Sequence, residues 1–324
     1  MYETFYGFRE RPFDLTPNPR FLYLTRRHRE ALSNLQYGIA SRRGLTLLIG
    51  EVGTGKTTLV RAVLDESQIQ GHLIAYLNNP TLTRAEFCEY LAEAFKLEPS
   101  AGHSKARLLS ALSHKLEEFR VRGCSVALVI DEAQSLPEEL LEEVRLLANI
   151  ETSTDKLLPV ILVGQPELAE RLTAPSLRQL RQRVALRCNL APLDPQETAE
   201  YIAARIRIAG GNSALVFTRQ AVDTIYQHSG GIPRLISVIC DNALISGFAA
   251  DCRPVTRQII EEVCRDFDLP RRNGTPAMSA RANGNGAQTE KAAASAAPES
   301  KQTGSGRRDL FESFTGRRRF TFFS

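Results

Sequence analysis

The chain has 324 residues, 43% of them hydrophobic and 24% charged, enough for two globular units and a tail. No apolar run approaches the roughly 18 residues that cross a bilayer, and Met1-Tyr2-Glu3-Thr4-Phe5 lacks the basic-then-apolar pattern of a leader, so neither an anchor nor a signal peptide is expected. The net charge of +4 is uneven: residues 271–324 hold ten Lys+Arg against four Asp+Glu, leaving the first 270 residues at −2, which counts against nucleic-acid binding by the globular part.

In chain order, Phe5 to Leu24 reads F-Y-G-F-R-E-R-P-F-D-L-T-P-N-P-R-F-L-Y-L. Pro12, Pro17 and Pro19 exclude a regular helix, so this stretch is expected to be an extended strap that packs Phe5, Phe8, Phe13, Phe21 and Tyr23 onto a core. Arg26 to Ala40 has helical patterning. The apolar run Leu45 to Ile49 predicts a buried strand, followed directly by Gly50-Glu51-Val52-Gly53-Thr54-Gly55-Lys56-Thr57 and a helical stretch that begins at Thr58. That is a phosphate-binding loop in its strand-loop-helix setting.

The chemistry asks for these residue types. Gly50, Gly53 and Gly55 free the backbone to turn successive N–H groups onto a polyphosphate, and the helix that follows adds the positive end of its dipole. Lys56 would reach the β- and γ-phosphates, and the Thr57 hydroxyl would coordinate Mg²⁺. The cofactors expected are therefore ATP and Mg²⁺. A second possibility for the strap then arises, that it runs beside the adenine.

Further strands are expected at Leu73 to Leu77, Val126 to Ile130, Leu158 to Val163 and Val184 to Cys188, with helices near 84–97, 104–122 and 138–150 between them. Such alternation predicts right-handed crossovers and a mostly parallel sheet covered on both faces. The third strand ends in Asp131-Glu132, placing two carboxylates at the sheet edge where α/β proteins bind ligands. Asp131 would hold Mg²⁺ and Glu132 would orient and deprotonate the attacking water, so hydrolysis is expected rather than storage of the nucleotide.

After Pro192 the strand pattern stops. Asp194-Pro195-Gln196-Glu197 combines an N-cap, a first-turn proline and a capping-box glutamate. Helices are expected at about 195–209, 219–228 behind Thr218, 233–249, and 257–267 behind Thr256. The three regions are thus 1–190, an α/β nucleotide-binding domain with its strap; 191–268, a small all-helical domain; and 269–324, a disordered basic tail of low-complexity composition. The tail ends with basic and aromatic residues interleaved, Arg317-Arg318-Arg319-Phe320-Thr321-Phe322-Phe323, as in segments that dock on a protein, an anionic membrane face or nucleic acid. Cys88, Cys124, Cys188, Cys240, Cys252 and Cys264 show no metal or redox spacing and read as reduced thiols.

Taken together, G-E-V-G-T-G-K-T, V-I-D-E-A-Q, L-V-G-Q-P-E-L, L-R-Q-R and G-G-I-P-R, with the opening strap, resemble the general secretion pathway protein A (ExeA) family of AAA+ P-loop ATPases over roughly residues 1–268. That family includes pilus-biogenesis and exosortase-associated ATPases. The resemblance implies a three-layer αβα parallel sheet with a helical lid. It implies that Asn78, or its neighbour Asn79, restrains Glu132 until a partner binds, that Gln165 occupies the sensor-1 position near the γ-phosphate, and that Arg234 is the sensor-2 arginine of the lid. It implies a homo-oligomer in which Arg181 or Arg183, rather than Arg178, is a finger presented to the neighbour's site.

The partners implied are cell-envelope export, pilus or polysaccharide machinery. Secretion-branch relatives continue into a membrane-spanning helix and a periplasmic domain, patterns this sequence does not carry, so the resemblance implies a cytoplasmic protein, reaching the inner membrane through partners. Two other functions fit the same motifs, a DNA-linked ATPase resembling transposition regulators and a nucleotide-gated scaffold with little turnover.

Overall fold

The computed structural model describes residues 1–272 apart from 17, 70, 71, 79, 153 and 154. Asn79 and the expectations for the tail from residue 273 onward therefore lie outside the described residues. The first unit of the chain carries a short helix α1 (Tyr2–Tyr6), α2 (Arg26–Ala40), β1 (Leu45–Gly50), α3 (Lys56–Ile69), β2 (Leu73–Leu77), α4 (Arg84–Ala94), α5 (Lys105–Val121) and β3 (Val126–Ile130). It continues with α6 (Glu138–Leu147), β4 (Val160–Gly164), α7 (Pro166–Arg171), α8 (Arg178–Gln182) and β5 (Val184–Leu190). Helices α9 (Pro195–Ile208), α10 (Arg219–Ser229), α11 (Pro233–Ala249) and α12 (Arg257–Asp266) complete it.

All five strands are parallel, in the order β2-β3-β4-β1-β5, with Leu45 opposite both Val160 and Val184 and Leu73 opposite Val126. The chain leaves β1 for the far edge, walks back through β3 to β4, and then crosses β1 to reach β5. The carboxyl ends of β1, β4 and β3 are consequently neighbours, the place where open α/β sheets bind ligands.

Alternation along each strand serves two cores, which is why the strands read as unbroken apolar runs. Leu47, Leu128, Ile130, Val160 and Leu162 pack with Phe87 and Leu91 of α4, Leu112 of α5 and Leu141 of α6. On the other face, Leu48, Val129, Ile161 and Val163 pack with Leu35 and Ile39 of α2 and Leu59 and Val63 of α3. The result is a three-layer αβα arrangement, followed by an all-helical bundle.

The helix starts follow their caps. Thr83 with Glu86 and Asp194 with Glu197 form complete capping boxes, and Thr218 accepts from the Ala221 amide. Thr256 occupies the N-cap of α12 without a side-chain cap bond.

The strap differs from a purely extended segment in opening with α1, whose rings Tyr2 and Tyr6 are buried. Its aromatics join the helical bundle: Tyr2, Tyr6, Phe8, Phe13 and Phe21 pack among Ile202, Ile206, Ile236 and Ile239. Tyr2 donates to Asp241 Oδ1 at 2.5 Å, and Tyr6 to the Cys252 carbonyl at 3.2 Å. Among the described residues no helix is long and apolar enough to cross a membrane.

Candidate active site

The loop between β1 and α3 has the backbone its glycines permit. Gly53 and Gly55 sit at φ +82° and +97°, where a side chain is strained. A Cβ on Gly50 would lie 2.7 Å from Thr54 Oγ1 and 2.8 Å from the Leu190 carbonyl oxygen. Thr54 is buried and donates to the Glu51 carbonyl at 2.8 Å, closing the loop on itself. Lys56, only 4% exposed, donates from Nζ to the carbonyls of Gly50 and Glu51 at 2.8 and 3.0 Å. Burial pushes its ammonium down from the ordinary lysine value, against the opposing pull of Glu132 and Asp131. Glu51 and Val52 form the exposed rim, and Thr57 and Thr58 lie in the first turn of α3.

Opposite the loop, Asp131 is fully buried and accepts three hydrogen bonds: from Thr57 Oγ1 at 2.9 Å, Tyr76 OH at 3.1 Å and the Glu132 amide at 2.9 Å. The Tyr76 phenol is pushed well above its ordinary value, by burial first and by Asp131 second. Glu132 stands in the left-handed region at φ 53°. Its Oε2 accepts from Gln134 Nε2 at 2.5 Å and from Gln165 Nε2 at 3.3 Å. Thr57, Asp131 and Glu132 are thus brought together as sequence spacing implied, and Gln165 reaches the glutamate from the end of β4. Asn78 is exposed just past β2, and no hydrogen bond joins it to Glu132 among the described residues.

A cleft of about 360 Å³ fronts the loop, lined by its residues Val52 to Thr58, by Glu132, by Arg234 and by the strap from Asp14 to Tyr23. The strap thus buries its rings in the bundle and also contributes Asp14, Phe21 and Tyr23 to the wall of the cleft. Arg234 begins α11 behind the turn Gly230-Gly231, and its amide donates to the Gly53 carbonyl at 3.3 Å. Arg178, Arg181 and Arg183 are exposed on and after α8, away from the cleft lining, and make no ion pair among the described residues. Lys156 first, and Arg183 more weakly, hold the Glu151 carboxyl below its usual range.

The residues fit Mg-ATP in donor chemistry: a glycine-shaped loop ahead of a helix N-terminus, a buried lysine, and a hydroxyl joined to a buried carboxylate. Sequence reasoning missed four side chains. His28 of α2 is 4% exposed and bonds the Thr54 carbonyl at 3.1 Å through Nε2, with Nδ1 2.7 Å from Thr25 Oγ1. Tyr76 and Gln134 hold the two acids. Arg205 of α9 lines the cleft and donates to the strap carbonyls of Pro12 at 2.6 Å and Asp14 at 3.2 Å. Only Gln134, inside V-I-D-E-A-Q, carried a signal that could have singled it out.

Residues 39–172 match the family model described as an AAA domain. The chain is 42% identical over 277 residues to General secretion pathway protein A of Aeromonas hydrophila, an alignment that covers 85% of the chain and 50% of that protein, so the chain spans half its length. Among solved structures, the Aeropyrum pernix ORC2 protein, in ADPNP–ADP complexes, superposes with a TM-score of 0.58 at 17% identity, covering 80% of this chain and 72% of that one. Cdc6p from Pyrobaculum aerophilum gives 0.58 at 17% identity, over 79% and 70%. At these identities the superpositions show a shared fold and nothing beyond it.

Proposed function

We propose that the chain is an oligomeric ATPase that uses Mg-ATP turnover to drive or regulate assembly of a cell-envelope export system, working where ATP is available on the cytoplasmic side; the match of residues 39–172 to an AAA domain and the 42% identity to General secretion pathway protein A support this reading. The observation that carries this reading is the meeting of Lys56, Thr57, Asp131 and Glu132 at one sheet edge.

Thr57 and Asp131 would hold Mg²⁺, which when bound neutralises charge on the β- and γ-phosphates. The backbone N–H groups from Gly53 to Thr58 would cradle the phosphates. Lys56 would exchange its two loop carbonyls for phosphate oxygens, a stronger partner for a buried ammonium. Glu132 would take the proton of the attacking water, with Gln165 beside it reporting on the γ-phosphate. Arg234, fastened to the loop through Gly53, would carry the loss of that phosphate to the helical bundle. Arg181 or Arg183 would complete a neighbour's site; a guanidinium supplied in trans raises turnover by about 10³ to 10⁵.

The test is turnover per site across protein concentrations. It should rise steeply as subunits associate, and Glu132→Gln should keep ATP affinity while cutting hydrolysis to a small residual rate. Mixing Glu132→Gln protein with Arg181→Ala or Arg183→Ala protein should recover activity from the variant that lacks the finger. Normal turnover by Glu132→Gln would remove the base assignment, and salt-dependent DNA binding by the globular part would favour the DNA-linked alternative.

A further inference from the structure

The carboxylate of Glu132 is not free to swing. Its Oε2 takes two amide donors, Gln134 Nε2 at 2.5 Å and Gln165 Nε2 at 3.3 Å. Its Oε1 has no hydrogen-bond partner among the described residues, and Glu132 lines the cleft. Gln134 does more than donate. Its Oε1 accepts the backbone N–H of Gln165 at 3.1 Å, so one side-chain amide spans the catalytic glutamate and the end of β4.

The amide orientation is dictated by its partners. A carboxylate can only accept and a backbone N–H can only donate, so nitrogen must face Glu132 and oxygen must face Gln165. Of the twenty side chains, glutamine alone has this length with a donor and an acceptor on one planar end. The surroundings are shaped to match. A Cβ on Gly164 would stand 3.0 Å from Gln134 Oε1 and 2.7 Å from Leu168, so the strand end is bare where the amide passes. The loop that carries Gln134 is pinned in turn by Arg171 of α7, which donates to the Gln134 carbonyl and, at 2.8 Å, to the Leu136 carbonyl.

We propose that Gln134 is the positioning residue of Glu132. It holds Oε2 against β4 and leaves Oε1 as the oxygen that receives the proton from water, and it couples that orientation to the position of Gln165. No bond from Asn78 is invoked, since that residue makes none to Glu132 among the described residues, whereas Gln134 and Gln165 do. The proposal rests on the ATPase reading above, since it concerns the base of that reaction.

The experiment compares ATP turnover and ATP affinity of the full chain with Gln134→Met, which keeps length without either hydrogen bond, and with Gln134→Glu, which keeps the acceptor for Gln165 but turns a second carboxylate on Glu132. Both are also made in the Glu132→Gln background. Because misplacing a reacting group by about 1 Å costs up to ~10²-fold, kcat should fall roughly 10- to 100-fold in Gln134→Met and at least as far in Gln134→Glu, with ATP affinity held within about threefold. In the Glu132→Gln background, Gln134→Met should leave residual turnover unchanged, because there is no longer a base to position.

A normal kcat in Gln134→Met overturns the proposal, as does an equal loss with and without Glu132. Should Gln134→Met fail to bind ATP, the decision passes to Gln134→Glu, whose loss must likewise vanish without Glu132. If the unaltered chain turns over no ATP at any concentration, the ATPase reading itself fails; if it does turn over and the Gln134 variants match it, only the positioning role fails.

Discussion

At the scale of single residues, the phosphate loop depends on a side chain far from its own motif. His28 is buried between Thr25 and the Thr54 carbonyl, and the carbonyl can only accept, so Nε2 carries the proton and Nδ1 takes the Thr25 hydroxyl. Burial holds the His28 pKa below the ordinary 6.5, with the Thr54 carbonyl and the Glu197 carboxylate opposing that shift. The unfolded chain therefore binds a proton that the folded chain resists. The stability this arrangement confers is present above about pH 6.5 and is lost as the pH falls through the depressed value. Urea unfolding at pH 7.5 and pH 5.5 should show a loss at the lower pH that shrinks in His28→Gln; an unchanged pH dependence would remove His28 from the account. The motif residues were legible in sequence because each sits beside its neighbours in the chain. His28 and Thr54 are 26 positions apart, Tyr76 and Asp131 are 55, and Gln134 and Gln165 are 31, so their partnerships exist only once the sheet has assembled.

At the scale of elements, strands buried on both faces left unbroken apolar runs that could be bounded almost to the residue, and caps did the same for α9 and α10. Besides α1, two helices went unseen. With six and five residues, α7 and α8 are too short for a 3.6-residue period to show, although they carry the Gln165 and arginine segments. The joint between sheet and bundle was equally hidden. Gly231, at φ +76°, accepts from the Leu193 amide at 2.8 Å, and a Cβ there would lie 1.9 Å from the Leu193 carbonyl oxygen. Neither the backbone angle nor the space admits a side chain, so Gly231→Ala must open the joint or strain it. A loss of about 2–4 kcal/mol in urea unfolding is expected. Because Arg234 follows three residues later and is fastened to Gly53, ATP affinity should fall in the same variant. A stable variant with normal affinity would mean that the turn relaxes without consequence.

At the scale of the whole described unit, the strap joins the helical bundle to the cleft in front of the β1–α3 loop. Sequence showed that its rings needed a core but not which one, since aromatic residues carry no address. Phe13 is fully buried and Tyr2, Tyr6, Phe8 and Phe21 are each at most 7% exposed, all within the bundle. Burial of each such ring is worth about 1.5–3 kcal/mol, so the bundle draws a substantial part of its stability from the strap. Arg205 fastens the two: its guanidinium lies 6.0 Å from the Phe13 ring, 5.0 Å from Phe21 and 5.5 Å from Tyr201, while donating to Pro12 and Asp14. The same strap walls the cleft, so nucleotide should be felt by the strap, the sheet and the bundle together. Thermal unfolding of the intact chain should then be a single transition, raised by a non-hydrolysable ATP analogue by the equivalent of about 2.7 kcal/mol at a hundred times its Kd. Arg205→Ala should lower that transition, reduce the increment from nucleotide at the same concentration, and bring bundle and sheet toward separate melting. An Arg205→Ala protein that melts lower yet keeps the full nucleotide increment would show that the strap only stabilises the bundle, and that the cleft binds its ligand without it.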